Sequence, residues 1–542
     1  MTRLPFLRIV GMILLMLVVK SNGAHMATFF QTALTAGTTD VDIDFGLVRN
    51  YANTLIPSET LRPPPGNYTR GTMVLGMMRS LDTLGSYEIY ATNSTGNIPM
   101  GHRDGVVSSE VSSGGMCLYR FVTADFKNYT DGTCVLWLPS DGLGDVKTIA
   151  RDDATGKMFI LYWGPPQPDR LLGGTPYLFT SVDHGKTWQG PQLTVGLDHY
   201  NPPGTTIHAK DDLNLFYQPG VGLVDLQLFW EKNATIPGGP GVYCDNGGCE
   251  KRRVLGTMYS ADGQLWNYTG SVRLPGTDVD DPPELQFYRS RPFFVPGTRG
   301  SRVMSHTLLY APSPWINDAY GRHGQNGENA CGDPPNEHLC HGPHMYEEWW
   351  VLGKGLSGLD ASNKSWHRPA RFTKMAPENA YLFAQPGLVG GNDETHAWNM
   401  VWVGSGTVYT LPLHRAVGLW APANARVRIR SAFDLSGTTN ATRLWLNADA
   451  RWGPKLLQGG CDETCAAYVL VELEDASTQR VIEGYDRTRF NPIMDEDGIN
   501  LPLRWNNSTA LPSINGNITI KIWFRAVKIY AVYLGETFDP GY

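Results

Sequence analysis

The stretch Ser181-Val-Asp183-His-Gly185-Lys-Thr187-Trp188 returns further along the chain as Ser260-Ala-Asp262-Gly263-Gln-Leu-Trp266. Each copy sets a hydroxyl residue and Asp before Gly and an aromatic residue. The Ser and Asp side chains can bond their own backbone, Gly supplies a positive φ, and the aromatic ring packs back over the turn. Looser copies are Thr123-Ala-Asp125-Phe-Lys-Asn-Tyr129 and the stretch around Asp360 that ends at Trp366. Each copy predicts a tight hairpin, and their recurrence predicts a repeated supersecondary unit.

The spacing of the repeated stretch favours blades of antiparallel sheet. Successive copies lie farther apart than the roughly 40–50 residues of a four-stranded propeller blade, so we expect inserted loops between strands. The alternative is a set of unrelated hairpins in an ordinary β-protein. The long polar stretch from Gly321 to Pro343 is one such insertion, and loops of this kind often carry function.

The composition points to β-structure. Aromatic residues make up 11% of the chain, with 60 Gly and 37 Pro, a mixture of strand formers and turn formers. Short apolar runs such as Lys157-Met-Phe-Ile-Leu-Tyr-Trp163 are bounded by turn residues and predict strands. Charged residues are 18% and the formal net charge is −7. We therefore expect no nucleic-acid partner, because no basic stripe exists to neutralise phosphates.

The character of the chain changes near residue 415. Beyond it, Arg426-Val-Arg-Ile-Arg430, Tyr468-Val-Leu-Val-Glu-Leu-Glu474 and Ile518-Thr-Ile-Lys-Ile-Trp-Phe-Arg525 alternate apolar and polar residues. Period-2 alternation is typical of half-buried antiparallel strands. The sequence therefore predicts a β-sandwich over residues 420–542, after a larger β-domain over residues 25–415.

The first residues are typical of an export signal. Arg3 and Arg8 precede an apolar run from Ile9 to Val19, and small residues follow at Ser21, Gly23 and Ala24. The run is short for a membrane span, and no later apolar stretch is long enough to cross. We therefore predict a signal peptide over residues 1–24, a secreted protein and no membrane span in the mature chain. The alternative is an uncleaved signal anchor.

Glycosylation acceptors and cysteines agree with export. Asn-x-Ser/Thr sequences predict surface glycans. They occur at Asn67, Asn93, Asn128, Asn233, Asn267, Asn363, Asn440, Asn506, Asn507 and Asn517. Eight cysteines in an exported chain favour disulfides. Pairing of near neighbours would give Cys117–Cys134, Cys244–Cys249, Cys331–Cys340 and Cys461–Cys465, although eight cysteines allow other connectivities.

A metal site is not predicted from these residues. His338, His341 and His344 lie near Cys331 and Cys340, but the spacing fits no standard zinc pattern. No cofactor is expected, and a structural Ca²⁺ in a propeller channel stays open. His102, His184 and His208 are interpreted as structural histidines.

The layout resembles the five-bladed β-propeller glycoside hydrolases of the invertase and fructan-hydrolase type (glycosyl hydrolase family 32-like) and their arabinan-cleaving relatives. The run from Gly484-Tyr-Asp-Arg487 through Leu501-Pro-Leu-Arg-Trp505 to Tyr530 resembles the sandwich appended to some of them. The resemblance implies an all-β fold, a five-bladed β-propeller followed by a C-terminal β-sandwich. It also implies a secreted enzyme that cleaves a fructoside or an arabinoside in an oligosaccharide or other glycan.

One motif carries the resemblance most closely. Arg151-Asp152-Asp153 is similar to the family's Arg-Asp-Pro step, whose Asp stabilises an oxocarbenium-like transition state; here Asp153 replaces the proline. The alternative is a turn with Asp at a cap position. The family's nucleophile motif Trp-x-Asn-Asp-Pro-Asn-Gly is absent, with Asp42 and Asp44 in roughly its region. Its Glu-Cys acid motif is absent too, and Glu284 lies at a plausible place.

Glycoside hydrolysis needs two carboxyl groups that flank the scissile bond. The sequence predicts Asp152 and Glu284 as that pair, with Asp104 and Glu347 or Glu348 as further candidates. Sugar-binding candidates are Arg151, Arg291 and the aromatic residues Trp163, Trp230, Trp349 and Trp350, although Trp in such a chain is also a core residue.

Two other functions stay open. The repeated stretch resembles the Asp-box of sialidases, where it is structural and lies away from the active site. A sialidase would need several arginines to converge on the substrate carboxylate, for which Arg289, Arg291 and Arg302 are available, but the Phe-Arg-Ile-Pro segment is missing. The second alternative is a non-catalytic propeller for carbohydrate binding or cell-surface interaction. Asp125, Asp183, Asp262 and Asp360 are assigned to turns in every case.

Overall fold

The computed structural model describes residues 25–28, 41–65, 73–92, 115–139, 147–164, 175–197, 205–207, 215–232, 244–245, 248–249, 251–273, 286–294, 302–311, 345–354, 366–367, 387–389, 398–404, 406–451 and 467–536. All regular structure in these residues is β-strand, which confirms the all-β prediction. No helix in these segments is long and apolar enough to cross a membrane.

The chain begins with four short strands, after which consecutive strands form the first two sheets. The first four are β1 (His25–Thr28), β2 (Val41–Phe45), β3 (Arg49–Ala52) and β4 (Ile56–Pro57). Sheet I pairs β5 (Met73–Arg79), β6 (Tyr87–Thr92), β7 (Gly115–Thr123) and β8 (Thr130–Pro139) in chain order. Sheet II pairs β9 (Lys147–Arg151), β10 (Met158–Gly164), β11 (Thr175–Ser181) and β12 (Gln189–Leu193) in the same way.

Sheets III to V continue the same antiparallel pattern. In sheet III, β13 (Thr205–Ile207) and β14 (Leu215–Gln218) both pair with β15 (Gly222–Lys232), followed by β18 (Lys251–Ser260) and β19 (Asn267–Arg273). A small hairpin, β16 (Cys244–Asp245) with β17 (Gly248–Cys249), interrupts it. Sheet IV contains β20 (Gln286–Phe294), β21 (Arg302–Ala311), β22 (Met345–Lys354) and β23 (Trp366–His367). Sheet V joins β24 (Gly387–Val389), β25 (Asn399–Val403) and β26 (Val408–Pro412) to the early strand β4.

The first strands of these five sheets lie side by side. β5 lies between β24 and β9, while β14 contacts both β9 and β20. Apolar clusters fill the space between consecutive sheets. In β10, Met158 and Ile160 face sheet I, whereas Phe159 and Leu161 face sheet III. The continuous apolar run that predicted this strand is explained by burial on both faces.

The C-terminal strands form two further sheets. Sheet VI has the order β3, β27 (Val417–Ala421), β33 (Val527–Gly535), β29 (Arg443–Asp449) and β31 (Asp497–Pro502), with β1 also on β33. Sheet VII has the order β2, β28 (Ala425–Asp434), β32 (Asn517–Arg525) and β30 (Tyr468–Asp475). One apolar cluster joins them, with Val427 and Ile522 from sheet VII and Leu446 and Ile529 from sheet VI.

The predicted strands beyond residue 415 are confirmed, and the alternation that predicted them places every second residue in this shared cluster. The N-terminal strands add to the C-terminal module. β1, β2 and β3 pair with C-terminal strands, although they fall in the segment 25–415 that was expected to form one domain. The segment from Gly321 to Pro343 lies outside the described residues.

Candidate functional site

The sharp copies of the repeated stretch form the predicted hairpins. In sheet II, Ser181 Oγ accepts a hydrogen bond from the Gly185 amide at 2.9 Å, and Asp183 Oδ1 accepts one from the Thr187 amide at 2.9 Å. Gly185 has a φ of 76°. Trp188 Nε1 donates to the Gly185 carbonyl at 3.1 Å, which folds the indole over the turn. The turn thus satisfies its own polar groups.

Sheet III repeats this geometry. Ser260 Oγ accepts from the Gly263 amide at 2.8 Å, and Asp262 Oδ1 accepts from the Gln264 amide at 2.8 Å. Trp266 Nε1 donates to the Gly263 carbonyl at 2.8 Å, and Gly263 has a φ of 87°. The hairpin prediction is confirmed at this copy as well.

The loose copy in sheet I reaches the same turn with a different residue. Thr123 Oγ1 accepts from the Phe126 amide at 2.9 Å, and Asp125 Oδ1 accepts from the Asn128 amide at 2.8 Å. Phe126 takes the place of Gly with a φ of 53° and is fully buried. The predicted Cys117–Cys134 disulfide closes this hairpin. The copy at Asp360 lies outside the described residues.

These turns also bind the preceding sheet. The Tyr90 hydroxyl of sheet I lies 3.0 Å from the His184 carbonyl and shares its single hydrogen between that carbonyl and Glu88. Trp266 of sheet III donates its amide to the Val195 carbonyl, which follows sheet II, at 2.8 Å. Arg62, which follows β4 of sheet V, donates its amide to the Phe126 carbonyl at 2.7 Å. Each hairpin therefore holds two sheets together.

A buried ionic cluster lies beside the turns of sheets I and II. Arg120 on β7 bonds Glu88 on β6 at 2.9 Å, and the Glu88 side chain is fully buried. Tyr90 donates to the other oxygen of Glu88 at 2.9 Å, and Ser80 donates to the first at 3.0 Å. Arg120 also forms an ion pair with Asp131. Removal of either partner would leave an uncompensated buried charge, so the structure depends on both being present.

The cluster also joins sheet I to sheet II through Asp82. Asp82 in the β5–β6 turn contacts Lys186 at 2.5 Å and His184 at 2.7 Å, both in the repeated turn of sheet II. Hydrogen bonds from Lys186 and His184 lower the pKa of Asp82 to about 2. Burial raises the pKa of the Tyr90 hydroxyl, and Glu88 raises it further. Asp82 is therefore ionised and Tyr90 protonated at neutral pH, so the cluster holds charge instead of exchanging protons.

Asp152 lies in the turn that directly follows β9. Its Oδ1 accepts from the Ala154 amide at 3.0 Å, and its Oδ2 accepts from the Thr155 hydroxyl at 2.7 Å. Tyr217 of sheet III bonds the same carboxylate. The neighbouring Arg151 is nearly buried and its Nε bonds Asp153 at 2.6 Å. This is the geometry of the turn-cap alternative, and the catalytic role of Asp152 stays a prediction.

The carboxylates of these turns all have a lowered pKa. Partial burial raises the pKa of Asp152, Asp183 and Asp125, but hydrogen bonds from their own turns outweigh it and leave each pKa below its ordinary value. For Asp262, the Gln264 amide is the largest cause of a lowered pKa. A general acid needs the opposite shift, because it must hold its proton near neutral pH. These groups suit turn capping and charge stabilisation.

The remaining predicted site residues are placed by connectivity. Asp104 and Glu284 lie outside the described residues. Glu347 lies in β22 opposite Leu309, and Arg291 lies in β20 opposite His306. Trp163 and Trp230 lie close to the ends of β10 and β15. For these four strand residues, the backbone register alone is described.

Each of sheets I to V has two ends along the strand direction. We call these ends the turn edge and the start edge. At the turn edge, the first strand connects to the second and the third to the fourth. At the start edge, the first strand begins and the second connects to the third. Asp152 and the repeated turns attach at the turn edge. In the sequence, Glu284 lies two residues before β20, Asp104 falls between β6 and β7, and Glu347 is the third residue of β22, so in chain order all three come next to strand ends of the start edge.

Two acidic residues near the N-terminus lie elsewhere. Asp42 and Asp44 are on β2 of sheet VII, where Asp44 pairs with Arg426 at 3.3 Å and Asp42 pairs with Arg430. They belong to the C-terminal module and do not approach the first strands of sheets I to V. The region expected to correspond to the family's nucleophile motif thus has a structural role here.

Sequence reasoning missed the Glu88–Arg120 pair. The signal was available, because a single charged residue interrupts each of the apolar stretches Tyr87-Glu-Ile-Tyr90 and Leu118-Tyr-Arg-Phe121. A charge within a strand buried on both faces requires a partner. Which partner it finds depends on the register, in which Glu88 lies opposite Val122, two residues along β7 from Arg120.

Predicted glycosylation and disulfide sites are only partly within the described chain. Acceptor asparagines Asn128, Asn267, Asn440, Asn506, Asn507 and Asn517 are exposed, and the other four lie outside the described residues. Cys244 and Cys249 lie opposite each other in the β16–β17 hairpin. Cys331, Cys340, Cys461 and Cys465 lie outside. Within the described part of the chain, no group of three His, Cys, Asp or Glu side chains could hold a metal ion.

No family model matches the sequence, and the comparison with curated proteins finds no match. Solved structures give distant similarities. Fructofuranosidase from Schwanniomyces occidentalis, in complex with fructose, is 9% identical, with 90% of this chain and 98% of that chain covered at a TM-score of 0.31. An exo-β-1,3-galactanase from Phanerochaete chrysosporium, in complex with β-1,3-galactotriose, is 8% identical, with 90% and 100% covered at 0.31.

A third solved structure, sucrose-6-phosphate hydrolase from Lactobacillus gasseri, is 11% identical, with 86% of this chain and 92% of that chain covered at a TM-score of 0.32. These neighbours are glycoside hydrolases. TM-scores this low do not establish a shared fold, and the identities do not transfer an activity or any residue role to this chain.

Proposed function

We propose that this chain is a secreted glycoside hydrolase, built as a five-bladed β-propeller with a C-terminal β-sandwich. Its two catalytic carboxyl groups come from the start edge of the propeller sheets. The first substrates to test are fructosides and arabinosides, which the sequence resemblance implies.

The observation that carries this proposal is the difference between the two edges of the sheets. At the turn edge, short connections use their own carboxylates as caps and ion-pair partners. At the start edge, longer connections such as residues 93–114 and 312–344 attach. Long connections positioned by a rigid scaffold are where binding and catalytic residues concentrate.

The propeller assignment rests on the arrangement of the strands. Sheets I, II and IV pair strands that are consecutive in the chain, and the first strands of sheets I to V neighbour one another in the order β24, β5, β9, β14 and β20. The pairing of β4 with β26 joins an early segment to the last of these sheets. Sheets VI and VII share one apolar cluster, as the two layers of a sandwich do.

Among the predicted acids, Glu284 fits the general acid best. It lies two residues before β20, the first strand of sheet IV, which contacts β14 of sheet III. Phe287, Leu309 and Glu347 form one row across sheet IV. Glu347 is the third residue of β22, and β22 begins at the start edge of sheet IV. Glu347 or Asp104 is therefore the proposed second carboxylate.

Asp152 fits this pair poorly. It follows the end of a first strand, whereas Glu284 precedes the start of one. The 5 residues of β9 extend over ~16 Å at 3.3 Å each, which exceeds the spacing of either catalytic arrangement. Trp163 and Trp230 lie near the start edge, since both belong to the last residues of second strands. They are proposed to stack on sugar rings.

Secretion is proposed from the N-terminal signal sequence and is supported by the Cys117–Cys134 disulfide, a bond typical of oxidising compartments. The repeated turns, which resemble the Asp-box, keep a sialidase as the second candidate. That function would require Arg289, Arg291 and Arg302 to serve one ligand carboxylate.

The test is release of reducing sugar from sucrose, inulin, arabinan and sialyl-lactose by the secreted protein. We expect turnover of one furanoside substrate, and its loss in Glu284→Gln and in either Asp104→Asn or Glu347→Gln with folding retained. Cleavage of sialyl-lactose alone would favour the sialidase. Glycan binding in an array without turnover of any substrate would favour the non-catalytic propeller.

A further inference from the structure

The outer face of sheet VII carries an unusual group of side chains. The Arg487 guanidinium lies 5.2 Å from the centroid of the Trp523 ring, and the Arg426 guanidinium lies 5.7 Å from the same centroid. Trp523 is half-buried on β32, while Arg487 is exposed and belongs to the connection between β30 and β31. Two cations thus share one indole.

Four basic side chains of sheet VII are neutralised by carboxylates. Arg428 pairs with Glu474 at 2.7 Å, and Lys521 pairs with Glu474 and, at 3.8 Å, with Glu472. On the neighbouring strands, Arg426 pairs with Asp44 and Arg430 pairs with Asp42.

Arg487 differs from these side chains. Among the described residues it makes no ion pair, and the nearby Asp486 is already bound by Arg489 at 3.4 Å. Asp486 also accepts a hydrogen bond from the Thr488 amide at 3.0 Å. The group formed by Arg426, Arg487, Trp523 and Asp44 therefore has one carboxylate for two guanidinium groups.

We propose that this group is a binding site for a glycan that carries uronic acid carboxylates. Stacking on an aromatic ring holds the guanidinium plane and leaves its edge N–H groups directed outward. That fork matches a carboxylate in two parallel hydrogen bonds. The local excess of positive charge, on a chain with a net charge of −7, complements an acidic sugar. Only the choice of a sugar as ligand rests on the proposed function.

The test uses calorimetric titration of the full chain with tri-galacturonate, the neutral galactose trimer and triglutamate. We expect tri-galacturonate to bind at least about tenfold more tightly than either other probe. One bidentate charge-assisted contact, at ~1.5–3 kcal/mol, corresponds to about a tenfold to hundredfold change in Kd.

Two variants localise the site. Arg487→Gln should lose the preference for tri-galacturonate. Arg480→Gln removes the same charge from another exposed position of the same connection and should keep it. Trp523→Leu should weaken binding by releasing the guanidinium.

The proposal is overturned if tri-galacturonate does not bind, if triglutamate binds equally well, or if both arginine variants lose the same affinity. These measurements require no turnover. A hydrolase without this site, and a site on a protein without hydrolase activity, would therefore give different results.

Discussion

The turn edge and the start edge of sheets I to V differ in the length of their connections and in the contacts of their acidic residues. At the turn edge, Asp183 and Asp262 accept hydrogen bonds from backbone amides of their own hairpins. Asp82 pairs with Arg120, Lys186 and His184. Glu88 pairs with Arg120. At the start edge, the strands end in longer connections that include the predicted acids. The described contacts therefore tie the turn edge together, and the proposal assigns catalysis to the start edge.

The comparison teaches why an acidic residue beside a strand is a weak indicator of catalysis. Asp152 and Glu284 both flank first strands. The hydrogen bonds of Asp152 hold it as a turn cap after its strand, whereas Glu284 comes before its strand in the sequence. Strand direction distinguishes them, and residue type does not.

Removing one charge of the buried Glu88–Arg120 pair should lower the free energy of unfolding more than any other change at the turn edge. Arg120→Met leaves the fully buried Glu88 without its cation, and we expect a loss of ~3–5 kcal/mol in the free energy of unfolding. Urea unfolding followed by tryptophan fluorescence measures it. The double variant Glu88→Gln/Arg120→Met should recover much of the loss. A single variant that unfolds like the wild type would refute the cluster's structural role.

Removing the Cys117–Cys134 disulfide should destabilise the hairpin that carries the loose copy of the repeated stretch. Cys117 and Cys134 are 17 residues apart, and loss of a crosslink of this length costs ~3 kcal/mol. We expect Cys117→Ser/Cys134→Ser to lower the stability of sheet I by about that amount. Thermal unfolding with and without reductant checks it, because reductant should destabilise the wild type and leave the double variant unchanged.

A single turn carboxylate should have a smaller effect. Asp183→Ala removes the acceptor of the Thr187 amide, and loss of such a cap costs ~1–2 kcal/mol. Val182→Ala in the same turn is the control, since Val182 is 70% exposed and should change the free energy of unfolding by less than about 0.5 kcal/mol. Equal effects of the two substitutions would count against the capping account.

The pH dependence should be the mildest effect. The pKa of Asp82 is lowered to about 2 in the folded protein, so its contribution to stability is present above the ordinary carboxyl pKa of ~3.9. It should be lost as the pH falls through about 4 to 2. Urea midpoints at pH 7, 4, 3 and 2 measure this loss, and Asp82→Asn should flatten the curve. An unchanged slope in that variant would contradict the assignment to Asp82.

Much of the fold could be predicted from the sequence because its signals are local. Hydroxyl, Asp, Gly and aromatic residues at fixed spacing define a turn that needs no distant partner, as at Ser181 to Trp188. The alternation in Tyr468 to Glu474 similarly defines a strand with one buried face.

Features that depend on long-range pairing could not be predicted in this way. The N-terminal strands β1 to β3 join the C-terminal sheets, which no local pattern indicates. Arg415 bonds Asn447 at 2.8 Å and pairs with Asp497 at 2.5 Å, a contact between separate segments. For the site, Arg151-Asp152-Asp153 matched a motif by residue type, but its position after β9 and the contact with Tyr217 depend on sheet order.

The most direct test compares kcat/KM and urea stability for Glu284→Gln and Asp152→Asn on the substrate found by the sugar-release panel. We predict that Glu284→Gln lowers kcat/KM by ~10²–10⁴-fold at wild-type stability. Asp152→Asn should keep most of the activity and lose stability. Abolished turnover in a stable Asp152→Asn variant, with Glu284→Gln still active, would contradict the assignment of catalysis to the start edge.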